Sequence, residues 1–276
     1  MRERLHELAR WGAASLPMRC MRRFSLIEGR NRSMIIAGQA FTTIIPLLIL
    51  VAGITGRARG GGVADGIIAR FHLSGNSASA MRTLFTRPPA STGAISVAGL
   101  VILLAAMLSL TRSLQRTYEE AWRLPPLGVP GALHGLSAMS LLLIQVLLLT
   151  LLGSLLRSVS GAPVLTPAVR LLLLIPLWWL LQYLLLSRRV PPRKLLPGAV
   201  IAAAGQVVVM VSSAYWMPRV VATDAERYGV IGVTFALISW LIIIALAIVL
   251  AAVVGAELAE DQAGALDSPA DEVRVP

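Results

Sequence analysis

Arg112, Gln115, Arg116 and Glu119 stand at i, i+3, i+4 and i+7, so a helix through Leu108–Trp122 carries all four on one face. Opposite charges one turn apart suit ion pairing. Glu257, at the end of a separate apolar run, is the expected partner of Arg112 or Arg116, and these five residues form a candidate cluster at the cytoplasmic edge of a membrane. A second set is uncharged. Gln39, Thr43, Gln145, Gln182, Gln206, Ser212 and Ser213 lie inside otherwise apolar stretches, and Pro46 lies among them where it would kink the first. Polar groups in hydrocarbon tend to face a bundle interior or a cavity, so this set could line a polar cleft for an amphipathic or weakly polar substrate. The same glutamines and serines could equally bond across helices as packing glue.

Other chemistry is poorly provided for. His6, His72 and His134 fall in different segments, and neither a His-Glu-x-x-His pattern nor paired cysteines offers metal-ligand spacing. The apolar stretches contain neither Asp nor Glu, which removes buried paired carboxylates for acid–base work. The glycine run in Gly56–Gly62 lacks the Lys-Ser/Thr of a phosphate loop. The expectation is a non-enzyme without cofactor or metal. Glu257 is the one group left for any proton coupling.

The elements that must position these residues are six long apolar runs: Ser33–Thr55, Thr92–Leu114, Ala132–Leu156, Ala168–Ser187, Pro197–Met217 and Gly229–Gly255. Within their limits the only Lys, Arg, Asp or Glu residues are Arg112 and Arg170, with His134 near the start of the third. A hydrocarbon core about 30 Å thick needs roughly 20 helical residues, and each run suffices. The fold class expected is therefore all-α, a polytopic bundle of six transmembrane helices. With 276 residues, 56% of them hydrophobic and 14% charged, the chain leaves no room for a separate soluble domain.

Charge placement orients the bundle. Of 25 Lys and Arg, 16 fall on the side holding both termini and 9 on the other, which puts the N and C termini in the cytoplasm by the positive-inside rule. The net charge of +11 then fits attraction to anionic lipid headgroups at that face and does not require nucleic acid. Whether the chain forms a homo-oligomer or has a protein partner is open. The single cysteine, Cys20, excludes an internal disulfide.

Three regions surround or join the spans. Residues 1–32 form a basic cytoplasmic segment with Leu5, Leu8 and Trp11, then Met18, Met21 and Phe24, at three-residue spacing. That suits short amphipathic helices in the headgroup layer, their arginines snorkelling to phosphates. Residues 56–91 form an outer loop with two short helices expected after Asp65 and Ser77 as N-caps. Residues 33–257 make up the transmembrane domain, and 258–276 read as an acidic, disordered cytoplasmic tail. Small residues at four-residue spacing, Ala105, Ser109 and Ser113 in the second span and Ala247, Ala251, Gly255 and Ala259 in the sixth, nominate those two helices for close packing. Asp224, Glu226 and Arg227 are expected in a short outer loop before Tyr228.

Three passages together resemble the YihY/BrkB family of bacterial inner-membrane proteins, once labelled ribonuclease BN. Leu108–Trp122 resembles the family's exit from the second helix, with Leu114, Gln115, Arg116 and the closing Trp122. Leu196–Trp216 is similar to its Leu-Pro-Gly-Ala opening of the fifth helix, through Pro197 and Gly198, with Tyr215 near the outer end. Arg227–Leu258 looks like its Tyr-Gly-x-x-Gly entry (Tyr228, Gly229, Gly232), mid-helix Trp240 and Gly-Ala-Glu exit beginning at Gly255. In the first span Pro46 and Leu47 fit, whereas Thr43 stands where the family has Ser, and Gly38 and Gln39 where it has aromatics. The resemblance implies six helices with both ends inside.

The reading is a multi-pass protein of the bacterial inner membrane that transports or translocates an amphipathic or lipid-like substrate. The alternative is a non-transporting scaffold binding lipid or a partner protein. A ribonuclease would need carboxylates to hold Mg²⁺ beside a phosphodiester, and the spacing of Glu119, Glu120 and Glu257 is not diagnostic of that.

Overall fold

Long apolar runs broken by few prolines leave the backbone one economical way to satisfy its own polar groups, and helix is the only regular form among the described residues. The computed structural model describes residues 15–54, 68, 74–84, 97–128, 135, 137–145, 148–149 and 162–266; within these, the side chains of 45–54, 77, 81, 84, 97–100, 162–167 and 263–266 are outside the description. The helices are α1 (Leu16–Leu26), α2 (Gly29–Ile54), α3 (Gly75–Leu84), α4 (Val97–Ala121), α5 (Ala162–Leu185), α6 (Pro192–Tyr228) and α7 (Val230–Leu266). Residues 137–145 are also helical.

Three helical stretches among the described residues are long and apolar enough to cross a membrane: Ala168–Leu185, Pro192–Tyr228 and Val230–Gln262. They coincide with the fourth, fifth and sixth expected spans. Helices α2 and α4 cover most of the first two, and the third falls largely outside the described residues, as do Pro46's side chain, residues 1–14 and most of the first expected outer helix.

The chain divides into two compact units, residues 1–32, 114–205 and 247–276 in one and residues 33–113 and 206–246 in the other. In the first unit, the first turns of α6 lie directly on the last third of α7. A Cβ built on Gly255 would sit 2.6 Å from the Cα of Gly198, so the two backbones touch there and only glycine fits. Two turns further along α6, a Cβ at Gly205 would meet Ala247 at 3.9 Å. The α7 stripe of small residues thus packs on the fifth expected span. On α4, Ala105 and Ser109 are exposed while Leu103, Met107 and Leu114 are buried.

In the second unit, Ala78 and Ala80 of α3 pack among Met217, Val221 and Ala225 of α6 and Val233, Ala236 and Leu237 of α7. The outer helix is therefore part of that unit's core. It starts at Gly75, which places Ser77 inside the helix and not at its cap. No loop separates α6 from α7 at Asp224–Arg227: α6 stays helical to Tyr228, and Gly229, at φ +59°, makes the whole turn. A Cβ at Gly232 would lie 2.0 Å from the Asp224 carbonyl oxygen, so this hairpin can close only with glycine at that position.

Candidate functional site

Polar chemistry in the first unit gathers at the ends of α1, α4, α5 and α7. Helix α1 opens with Pro17 in its first turn after Ser15, a position where a missing N–H is harmless. Its Arg19 and Arg23, one turn apart, face the end of α7. Nη1 of Arg23 donates to Oε1 of Glu257 at 2.9 Å and Nη2 to Oε1 of Glu260 at 2.8 Å. Arg19 Nε lies 3.5 Å from the other Glu257 oxygen, and its guanidinium also pairs with Asp261. Burial opposes the charge on Arg23, yet its bonds to Glu260 and Glu257 outweigh that and raise its pKa; for Arg19 the bond to Asp261 does the same. Burial, reinforced by Glu257, pushes the Cys20 thiol up as well.

These contacts correct two expectations. Glu257 takes its partners from α1, in place of Arg112 or Arg116, both of which are exposed. Arg19 and Arg23 turn inward to carboxylates, and the face left outside carries Arg22 with Met18, Met21 and Leu26. With its acids neutralised in this way, α7 continues as helix to Leu266, through the first half of the stretch expected to be disordered.

The i, i+3, i+4, i+7 face of α4 splits in two. Arg112 and Arg116 point out, whereas Gln115 and Glu119 are buried. Glu119 pairs with Arg189, whose guanidinium also donates to the Pro125 carbonyl at 2.6 Å, and Gln115 Nε2 reaches Ser187 Oγ at 3.4 Å. The neighbouring Glu120 pairs with Arg32. The α4 terminus is closed by Leu124 N–H donating to the Glu119 carbonyl at 2.7 Å, with Arg123 left-handed at φ 51° and Trp122 half-buried beside it.

The candidate cleft residues are divided between the two units. Gln145 and Gln182 belong to the first unit; Gln39, Thr43, Pro46, Gln206, Ser212 and Ser213 belong to the second. Thr43, Ser212 and Ser213 donate to carbonyls three or four residues back in their own helices, a local bond with no role across helices. Ser212 is exposed, Gln39 and Gln206 are half-buried, and Thr43 and Ser213 are buried. In the first unit Gln145 and Gln182 are buried, and Gln182 faces the wholly buried hydroxyl of Tyr118 without reaching hydrogen-bond geometry. Among the resemblance positions, Gly198, Gly229, Gly232 and Gly255 make the contacts and turn already described; Trp240 packs on the second unit's core, Pro197 is half-buried, and Tyr215 and Tyr228 are exposed.

Arg19, Arg23, Arg189 and Tyr118 are site residues that sequence reasoning missed. The four-residue spacing of Arg19 and Arg23 was a usable signal; nothing in the spacing of Arg189 or Tyr118 points to their partners.

Helices long enough to span a bilayer, exposing apolar flanks and holding their ion pairs at their ends, define a membrane protein. A family model described as Virulence factor BrkB matches residues 20–274, and the chain belongs to that family. No curated protein and no solved structure matches it.

Proposed function

We propose that the chain is a six-span protein of the bacterial inner membrane, both termini cytoplasmic, that moves an amphipathic, lipid-like substrate within the bilayer. The observation that carries this reading is the polar pair Tyr118 and Gln182, buried together inside the first unit. Taking polar groups out of water into an apolar bundle is unfavourable unless they are bonded, so an apolar pair would be the simpler filling. Polar groups kept inside an apolar bundle are expected where a polar headgroup must pass. Catalysis is disfavoured by the state of the acids: Glu119, Glu120 and Glu257 are each bound by arginine, and so are poorly disposed to hold Mg²⁺. A scaffold that binds lipid or a partner protein is the alternative.

Reconstitution into vesicles carrying a fluorescent phospholipid tests the proposal. A lipid translocator makes inner-leaflet label accessible to an external quencher. Folded protein giving the same signal as protein-free vesicles would leave the scaffold reading.

A further inference from the structure

Two consecutive arginines at the turn between α5 and α6 are sent in opposite directions. Ser187 and Arg188 both adopt left-handed backbone, at φ 51° and 62°, an arrangement L residues adopt only under constraint. Arg189 thereby turns inward to Glu119 and the Pro125 carbonyl, while Arg188 is exposed. The Arg188 guanidinium is held over the Tyr183 ring at 5.9 Å. Tyr183 stacks on Trp179, ring centroids 6.4 Å apart, and the Trp179 indole N–H donates to the Pro192 carbonyl at 2.7 Å. This chain of contacts ties Arg188 to the start of α6, where Arg193 and Lys194 are also exposed. Among the described residues, none of the three cations has an acidic partner, and the buried Glu119 is paired with Arg189.

Apolar surface continues from the cations. Leu196 and Val200 follow Arg193 at i+3 and i+7, on its face of α6, and are 51% and 41% exposed. A free phosphate has no use for that strip; an anionic phospholipid fits both parts. We propose that this turn is a binding site for an anionic phospholipid, with Arg188, Arg193 and Lys194 holding the headgroup phosphate and the Leu196–Val200 flank receiving an acyl chain. The planar guanidinium of Arg188, its face on Tyr183, keeps its N–H edge free for two phosphate oxygens. Trp179 and Tyr183 supply the aromatic level of a membrane–water interface. The inference rests on the proposed placement of this end of the bundle at the cytoplasmic leaflet.

The test uses the full chain in nanodiscs of equimolar phosphatidylglycerol and phosphatidylcholine, extracted into detergent, with retained lipid measured by mass spectrometry. The wild-type protein should retain phosphatidylglycerol preferentially. Arg193→Ala should lower that preference roughly fivefold, and the triple variant Arg188→Ala, Arg193→Ala, Lys194→Ala at least tenfold, with thermal stability unchanged because all three are exposed. The control pair Arg22→Ala and Arg30→Ala, exposed elsewhere, should leave the preference as it was. An undiminished preference in the triple variant overturns the site. So does full displacement by water-soluble glycerol phosphate at equal concentration, which would make it a phosphate site and not a lipid site. Retention involves no transport: lost translocation with lipid preference intact counts against the proposed function alone, and lost preference with translocation intact counts against this site alone.

Discussion

Arg23 and Glu257, 234 positions apart, meet through a 2.9 Å hydrogen bond with both side chains almost fully buried. The bond joins the amphipathic N-terminal helix to the end of the last long helix, and Glu260 and Arg19 complete it on either side. Removing one member of such a pair strands the other charge. Arg23→Ala or Glu257→Ala should each destabilise the protein by about 3–5 kcal/mol, whereas Arg23→Met with Glu257→Met should recover most of that loss. Arg112→Ala and Arg116→Ala, exposed, should stay within roughly 0.5 kcal/mol. Thermal unfolding in one detergent compares them; equal losses at Arg23 and Arg112 would refute the assignment.

Gly198 and Gly255 bring α6 and α7 into backbone contact. Gly255→Ala places a methyl group 2.6 Å from the Gly198 Cα and should cost about 1–3 kcal/mol, with a larger loss for Gly255→Val. Gly38→Ala is the comparison, since that position opens on empty space and alanine favours helix by about 0.5–1 kcal/mol. A Gly255→Ala protein as stable as Gly38→Ala would mean the helices do not touch there.

The α6–α7 hairpin makes a separate demand. Gly229→Val forces a branched residue into φ +59°, and Gly232→Ala drives a methyl group into the Asp224 carbonyl. The first should cost at least about 1–2 kcal/mol. Each should raise protease cleavage near Asp224, and limited proteolysis with mass readout would show it. An unchanged digestion pattern in both would contradict the one-residue turn.

Cys20 reports on the same charged end through its reactivity. Burial chiefly, then Glu257, raises its thiol above the ordinary 9.0, so thiolate is scarcer at any given pH than in a free peptide. Alkylation should therefore be slow at neutral pH, with its half-rise above pH 9.0, and Glu257→Gln should move that half-rise downward. A half-rise below 9.0 in the folded protein would contradict the packing of α1.

Helix content and the last three spans were legible because hydrophobic length alone carries them. The α7 stripe was legible as a face, but periodicity does not say what lies opposite, and the structure puts Gly198 there. Glu257 was recognisable as an isolated acid at a helix end. Its partner was not, because many arginines were available and only the folded path of α1 selects Arg19 and Arg23. The Arg112–Glu119 face failed for a related reason: helical spacing puts four residues together, and tertiary packing then buried Gln115 and Glu119 while leaving both arginines outside.

The central claim is lipid movement through a bundle whose interior keeps Tyr118 and Gln182 polar. Its most direct measurement is dithionite bleaching of a nitrobenzoxadiazole-labelled phosphatidylglycerol in sealed proteoliposomes. The account predicts that inner-leaflet fluorescence is lost with wild-type protein and lost more slowly with Gln182→Leu at equal incorporation. Bleaching that stops at the outer leaflet with correctly folded wild-type protein would contradict it.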